Sequence, residues 1–386
     1  MDAADDRGID AGSASGADAD VDGTGVDGSR RSCRPLGPVT FGWLRSASTP
    51  SLAFDGTGYG LVWVDTPVGS SCGFDTWRFA HIEEDGVIRV ASMELSPSPT
   101  ADARASLSWV DGAFTATLIT DEGDGPGVYF YRVAADGTQL VPPRRVTEEA
   151  SSHETVPTRD GYAVAWAGAD VHITLLDADG GPTGMDSIFP VEPGWLRLSG
   201  SGDGLALLVN VAFQDYLHVR LDPYGTPVGR VTRLCCEETG RAYVGGMGAL
   251  AAFPRGSLVL WQDLTTWPRP LVLTRFDGSG AKVEETAVTP PSRTSHASVA
   301  VSAGEIGAVW RDDRTGELQI YFARFDETGA RLEPDRPLTA HHGWIGCSVV
   351  DEMSIVATGS GYAVAWTEVG VGHRPDMLRF AHVCPE

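Results

Sequence analysis

Six cysteines are the residues in this sequence best equipped for chemistry: Cys33, Cys72, Cys235, Cys236, Cys347 and Cys384. Thiolates bind soft metals, attack disulfides or pair with one another. Their spacing matches no zinc-ligand pattern, and an even count favours pairing. Cys235 and Cys236 are adjacent, which leaves a vicinal disulfide, a redox or metal site, or two ordinary thiols open. The histidines offer less. His341 and His342 adjoin, and neighbours on a strand point to opposite faces, so they would not chelate together; a loop is the expected setting. His153-Glu154 lacks the second histidine of a zinc-protease helix. Asp18-Ala19-Asp20-Val21-Asp22-Gly23 opens like a calcium loop, but Ser29 stands where the closing Glu should be. That segment reads as a solvated acidic spacer. No cofactor is expected; calcium at this loop is the alternative. HExxH and P-loop patterns are absent, and carboxylates are too plentiful to single out a glycosidase pair.

The charge balance narrows the partners. Formal net charge is −23, and Lys282 is the only lysine. Such an excess of acid repels phosphate backbones and anionic lipid, so neither nucleic acid nor a membrane surface is an expected partner. No run of 18 apolar residues exists, so no transmembrane segment is predicted. Residues 1–28 hold eight Asp and one Arg. Residues 1–31 are therefore expected to be a disordered spacer rich in Asp, Ala, Gly and Ser, and 32–386 a single domain.

The elements that must position these residues come from a repeat. A Gly followed by a short apolar run, usually ending in Trp, recurs seven times: Tyr59–Trp63, Gly112–Leu118, Gly161–Trp166, Gly204–Val209, Gly256–Trp261, Gly304–Trp310 and Gly361–Trp366. The spacing is roughly 50 residues, that of propeller blades. A second apolar strand follows each copy and closes on an acidic turn ending in Gly, as in VHITLLDADG (171–180) and LVLTRFDGSG (271–280). A small-residue strand precedes each copy, and a fourth strand follows the turn. Four strands per repeat and no helical period predict an all-β, seven-bladed β-propeller of antiparallel four-stranded blades. A two-sheet sandwich would leave the seven-fold period unexplained. In GYAVAW the Tyr162, Val164 and Trp166 face and the Ala163 and Ala165 face are both apolar, so both should be covered by neighbouring blades.

Repeat seven ends at its third strand, while Pro35–Phe41 resembles the fourth strands elsewhere. The N-terminal segment is therefore expected to complete the last blade, which sets Cys33 beside Cys384 for a closing disulfide. Cys72 and Cys347 fall in loops expected on one face of neighbouring blades, and so form a second expected pair.

Trp310–Arg324 reads WRDDRTGELQIYFAR. It resembles the W-x-D-x-R-x-G-x-x-x-I-Y-x-x-R repeat of secreted bacterial β-propeller proteins of the surface-lipoprotein type. It is more loosely similar to the Asp-box turns of sialidase-like propellers, where the Asp and Gly stabilise a turn. Repeat six alone carries the pattern whole, so the resemblance implies fold and not activity. The acidic N-terminal stretch is similar to the spacers of bacterial lipoproteins. With the even cysteine count, that implies an extracytoplasmic protein, secreted or lipid-anchored, with its export signal upstream of the given chain. A basic residue also recurs five positions before the turn Gly: His81, Arg132, Arg220, Arg275, Arg324 and, by position, His382. One Arg–Asp pair per blade, tying neighbouring sheets, is expected from it.

Trp195, Phe213, Trp267 and Trp344 fall in predicted loops, where exposed rings stack on sugars or anchor proteins. The expected function is a monomeric, non-enzymatic binding or scaffold propeller whose protein or glycan ligand sits on the face of loops 65–75, 120–127, 262–269 and 367–376. The alternative is a glycan-active enzyme, a sialidase-like or other glycoside hydrolase or lyase propeller.

Overall fold

The computed structural model describes residues 33, 35–44, 46–66, 75–96, 104–122, 125–148, 150–202, 204–211, 215–234, 248–263, 267, 269–290, 292, 294–302, 304–339, 353–368 and 376–385. Cys72, Phe213, Cys235, Cys236, Trp344, Cys347, the 341–342 histidines and the Asp18–Gly23 loop lie outside them. Strand β1 is Leu36–Leu44. Blade one follows as β2 (Ser46–Phe54), β3 (Gly58–Thr66), β4 (Thr76–Glu83) and β5 (Ile88–Ser96). Blade two is β6 (Ala105–Val110), β7 (Ala113–Glu122), β8 (Gly125–Val133) and β9 (Gln139–Thr147). Blade three is β10 (Ser152–Thr158), β11 (Gly161–Ala167), β12 (Val171–Leu176) and β13 (Pro182–Phe189). Blade four is β14 (Pro193–Ser201), β15 (Gly204–Val211), β16 (Asp215–Leu221) and β17 (Thr232–Arg233). Blade five is β18 (Ala249–Phe253), β19 (Gly256–Gln262), β20 (Leu271–Asp277) and β21 (Lys282–Ala287). Blade six is β22 (Thr294–Ser302), β23 (Glu305–Asp312), β24 (Gln319–Asp326) and β25 (Arg336–Pro337). Blade seven has β26 (Ser354–Ala357), β27 (Tyr362–Glu368) and β28 (Asp376–Val383).

Each blade is a four-stranded antiparallel sheet, and the seventh is completed by β1 in the order β1-β28-β27-β26. Leu36 lies opposite His382 and Val39 opposite Phe380 in that pairing. Its inner strands touch in a closed cycle, β2 meeting β26, so the chain is a seven-bladed β-propeller closed by strands from both ends. The outer strands of blades four and six shrink to β17 and β25, two residues each. Their sequences carry Pro227, Pro334 and Pro337, which cannot donate to a ladder.

The described residues bury seven apolar clusters, one at each blade junction. In blade three, Ala163 and Ala165 pack on Leu196, Leu198 and Leu207 of blade four, while Tyr162 and Val164 pack on Val128 and Phe130 of blade two. Both faces of GYAVAW are thus covered. Small residues take large rings: a Cβ on Gly60 would lie 2.5 Å from the Phe114 ring, and one on Gly307 the same distance from Tyr362. That interdigitation gives the junctions crystal-like density.

Polar groups at the junctions are also matched. Side-chain oxygens on one inner strand accept backbone N–H groups of the next: Ser51 from Leu107 (3.1 Å), Ser106 from Thr155 (3.1 Å), Glu154 from Leu198 (3.1 Å), Ser199 from Ala252 (3.0 Å) and Ser354 from Leu52 (3.0 Å). Inner-edge N–H groups that no strand pairs are so satisfied around the ring. The recurring basic residues depart from the expected Arg–Asp pairs. Arg132 does reach the next blade, donating to Asp179 Oδ1 at 3.2 Å and Ala178 O at 3.0 Å. Arg220 donates instead to the backbone oxygen of Gly256 at 3.2 Å. Asp222, Asp277 and Asp326 accept backbone N–H groups of their own turns, such as Ser279 (2.9 Å) and Ala281 (3.0 Å) on Asp277. An Asp at a strand end meets turn amides first, before any side chain across the junction.

Candidate functional site

A cleft of about 900 Å³ opens between blades three and four. It lies on the face formed by the turns that join first to second and third to fourth strands. Thr158, Arg159 and Asp160 come from the β10–β11 turn, Ser201 from the β14–β15 turn, Met185 from β13 and Tyr224 from the turn after β16. Leu175 and Leu176 form part of its apolar wall. The sequence explains why it opens here. Ser199-Gly200-Ser201-Gly202-Asp203-Gly204 places glycine at every second position, and a Cβ on Gly202 would meet nothing within 4 Å. Tyr224 is 59% exposed and Met185 41% exposed, large apolar groups left at the rim. Among the described lining residues Asp160 is the one carboxylate.

The opposite face carries the connections between second and third strands. Here Trp267 stands 66% exposed with the Arg269 guanidinium 5.5 Å from its ring centre. Trp195 is not on a loop. It lies in β14 opposite Asn210, is 8% exposed and packs edge-on against Tyr216 at 5.1 Å in the core of the four–five junction. The preceding Pro193-Gly194 looks like a loop in sequence, yet the strand has already begun. A smaller cleft of about 350 Å³ lies on this face between blades two and three, beside Pro126, Gly127 and Glu148.

Two carboxylates on this face are pushed up by burial. Asp65 is only partly offset by Arg78, whose Nε lies 3.5 Å away, and Asp75 adds to the rise. Glu122 is raised likewise, partly offset by Ser96, and accepts the Tyr131 hydroxyl. Raised carboxylates in a cleft are candidates for a functional role.

Other buried titratable groups are spent on structure. Burial and then the charge of Arg220 hold His218 down to about 3, so it stays neutral, 2.7 Å from Ser257 Oγ and stacked on Phe276. Asp312, at the centre of the repeat-six pattern, is fully buried and accepts Arg314 N–H and Nε–H, both at 2.8 Å. Arg314 continues to Asp335 at 2.6 Å and lies 4.3 Å from the Tyr321 ring centre. That network braces its own blade.

At the ring closure Cys33 and Cys384 form a disulfide with Cα atoms 5.6 Å apart. His382 Nε2 lies 3.8 Å from Cys33 Sγ and 3.5 Å from Thr358 Oγ1, in a buried position. Sequence reasoning found the cysteine pair and missed the histidine's part, although His382 already stood out as the basic position of blade seven. The three–four cleft it missed altogether; the alternating glycines of 200–204 were the available signal.

No protein-family profile and no curated protein sequence matches the chain. Solved structures do. A protein of unknown function from Dyadobacter fermentans DSM 18053 is 10% identical, covers 92% of this chain and 100% of its own, and superposes with a TM-score of 0.54. The β-propeller domain of the Trilobed protease from Pyrococcus furiosus, which has an open velcro topology, is 10% identical with a TM-score of 0.52, covering 87% and 94%. The acylaminoacyl peptidase of Pyrococcus horikoshii is 10% identical with a TM-score of 0.51, covering 87% of this chain and 52% of its own. At such identity these likenesses concern the fold, and on that ground the chain stands with the β-propellers.

Proposed function

We propose that this chain is a non-enzymatic binding or scaffold propeller of the secreted bacterial type, working outside the cytoplasm on a protein or glycan ligand. The observation that carries the reading is the three–four cleft. Its volume suits a small ligand or an extended segment. Its described lining offers a cation, an anion, hydroxyls and an exposed aromatic ring, groups suited to holding a polar ligand. The ligand is placed there, rather than on the loop face first expected from the sequence. The closing disulfide supports the compartment, because such bonds persist where the surroundings are oxidising. A glycan array and a panel of chromogenic glycosides test both halves. Saturable binding without turnover, lost in Tyr224→Ala and Arg159→Ala but kept in Trp267→Ala, is the expected result. Loss in Trp267→Ala alone would move the ligand to the other face.

A second reading, a glycan-active enzyme, draws on Asp65 and Glu122. Turnover of any glycoside that disappears in Glu122→Gln or Asp65→Asn would replace the binding reading.

A further inference from the structure

Cys33 Sγ, His382 Nε2 and Cys384 Sγ lie within 4.8 Å of one another. We propose that, whenever the disulfide is reduced, these three atoms form a zinc site that closes the ring in its place. The geometry is close to what the metal requires. Zn–S bonds of about 2.3 Å and Zn–N bonds of about 2.0–2.1 Å put tetrahedral ligand atoms roughly 3.6–3.8 Å apart. His382 Nε2 already lies 3.8 Å from Cys33 Sγ. The two sulfurs, once their bond is broken, reach that spacing by a small side-chain rotation.

The chemistry balances. A dithiol supplies two electrons and two protons to the Sγ–Sγ bond, leaving two thiols on the chain and the dithiol as its cyclic disulfide. Zn²⁺ then displaces both thiol protons to water and takes the lone pair of neutral His382. Two thiolates and one dication leave the site with no net charge, which suits a half-buried position. Water fills the fourth place. The chain's net charge of −23 favours a dication over an anion. The ligands also come from both chain ends: Cys33 precedes β1, His382 lies near the end of β28 and Cys384 follows it. Metal and disulfide would therefore cross-link the same two strands.

The test uses the full-length protein reduced with a phosphine, which takes its oxygen from water and leaves no competing thiol. Native-state alkylation with iodoacetamide is followed by peptide mapping, with and without equimolar Zn²⁺. Cys33 and Cys384 should both be alkylated more slowly with zinc, by roughly tenfold or more, since even an outer-shell partner carries that much affinity. Equal rates with and without zinc overturn the proposal, and that arm needs no variant. In His382→Asn the protection should disappear while the unreduced protein still yields the linked Cys33–Cys384 peptide. Protection equal to wild type in that variant also overturns it, because the cysteines alone would then hold the metal.

Discussion

Blades three and seven contain the same six residues, Gly-Tyr-Ala-Val-Ala-Trp, at 161–166 and 361–366. Both segments form the second strand of their blade, and both turn their alanines toward the next blade and their Tyr and Val toward the preceding one. The tryptophans part company. Trp366 is 1% exposed, among Ile320, Phe322 and Met353. Trp166 is half-buried, lies flat on His172 with ring centres 3.9 Å apart, and donates Nε1–H to Thr174 Oγ1 at 3.0 Å. The surroundings differ with the preceding blade. Trp166 packs only at the margin of the cluster of Ile119, Val128 and Phe130, whereas blade six adds Leu318 and Leu338 to the cluster that holds Trp366. Strand and facing follow from the hexapeptide; burial of its last ring is decided by another blade.

Truncation should separate the two rings. Trp366→Ala is expected to cost about 3–5 kcal/mol, the range of core aromatic deletions, and Trp166→Ala roughly half that, because much of its surface already meets water. Denaturant unfolding measures both, and equal losses would break the contrast. Blade seven should also depend on its cross-link. The chain-entropy relation sets a ceiling of about 5–6 kcal/mol for so long a loop, and removal of native disulfides more often costs about 2–5. Reduction in the presence of a chelator should therefore speed hydrogen exchange in β1 and β28 while leaving β10 and β11 unchanged. Uniform acceleration across both blades would show that the ring melts as one unit.

The four–five junction adds a case governed by pH. His218 binds its proton at about 3 in the folded chain, below its ordinary 6.5, so the unfolded state takes up protons first. Stability from this group is complete above pH 6.5 and falls as the pH drops toward 3. The loss amounts to about 3 kcal/mol by about pH 4. His218→Phe should flatten that part of the acid limb; an unchanged acid profile would refute the assignment.

The ring was legible because its signals repeat. Seven Gly-led apolar strands, the acidic turns, and Pro35–Phe41 matching fourth strands elsewhere each recur with small variation, so a misread copy is corrected by the others. The closing cysteines followed from that register. What could not be read depends on single deviations across junctions. Trp195 sits in a Pro-Gly context that resembles a loop, yet its ring faces Tyr216 of the next-but-one strand. The cleft is lined by the glycines of 200–204, and its Arg159 and Tyr224 are 65 positions apart only by number, brought together by blade packing. The seam hydrogen bonds from Ser51, Ser106 and Ser354 looked like mere small residues. A repeat reveals what its copies share, and the candidate site lies in what one copy does differently.

The smallest expected effect concerns the stack that replaces burial at Trp166. Parallel rings at 3.9 Å with a 6° tilt are worth about 0.5–1.5 kcal/mol beyond their area. His172 also lies 3.2 Å from Asp186 Oδ2, an exposed pair that adds little. His172→Ala should thus lower stability by about 1 kcal/mol, and in a double-mutant cycle with Trp166→Ala the coupling should account for most of it. The same cycle with Trp366 should give no coupling, since the two sites share no partner. A coupling near zero for Trp166 would mean that the ring is held by blade two after all, and the two hexapeptides would then be packed by the same rule.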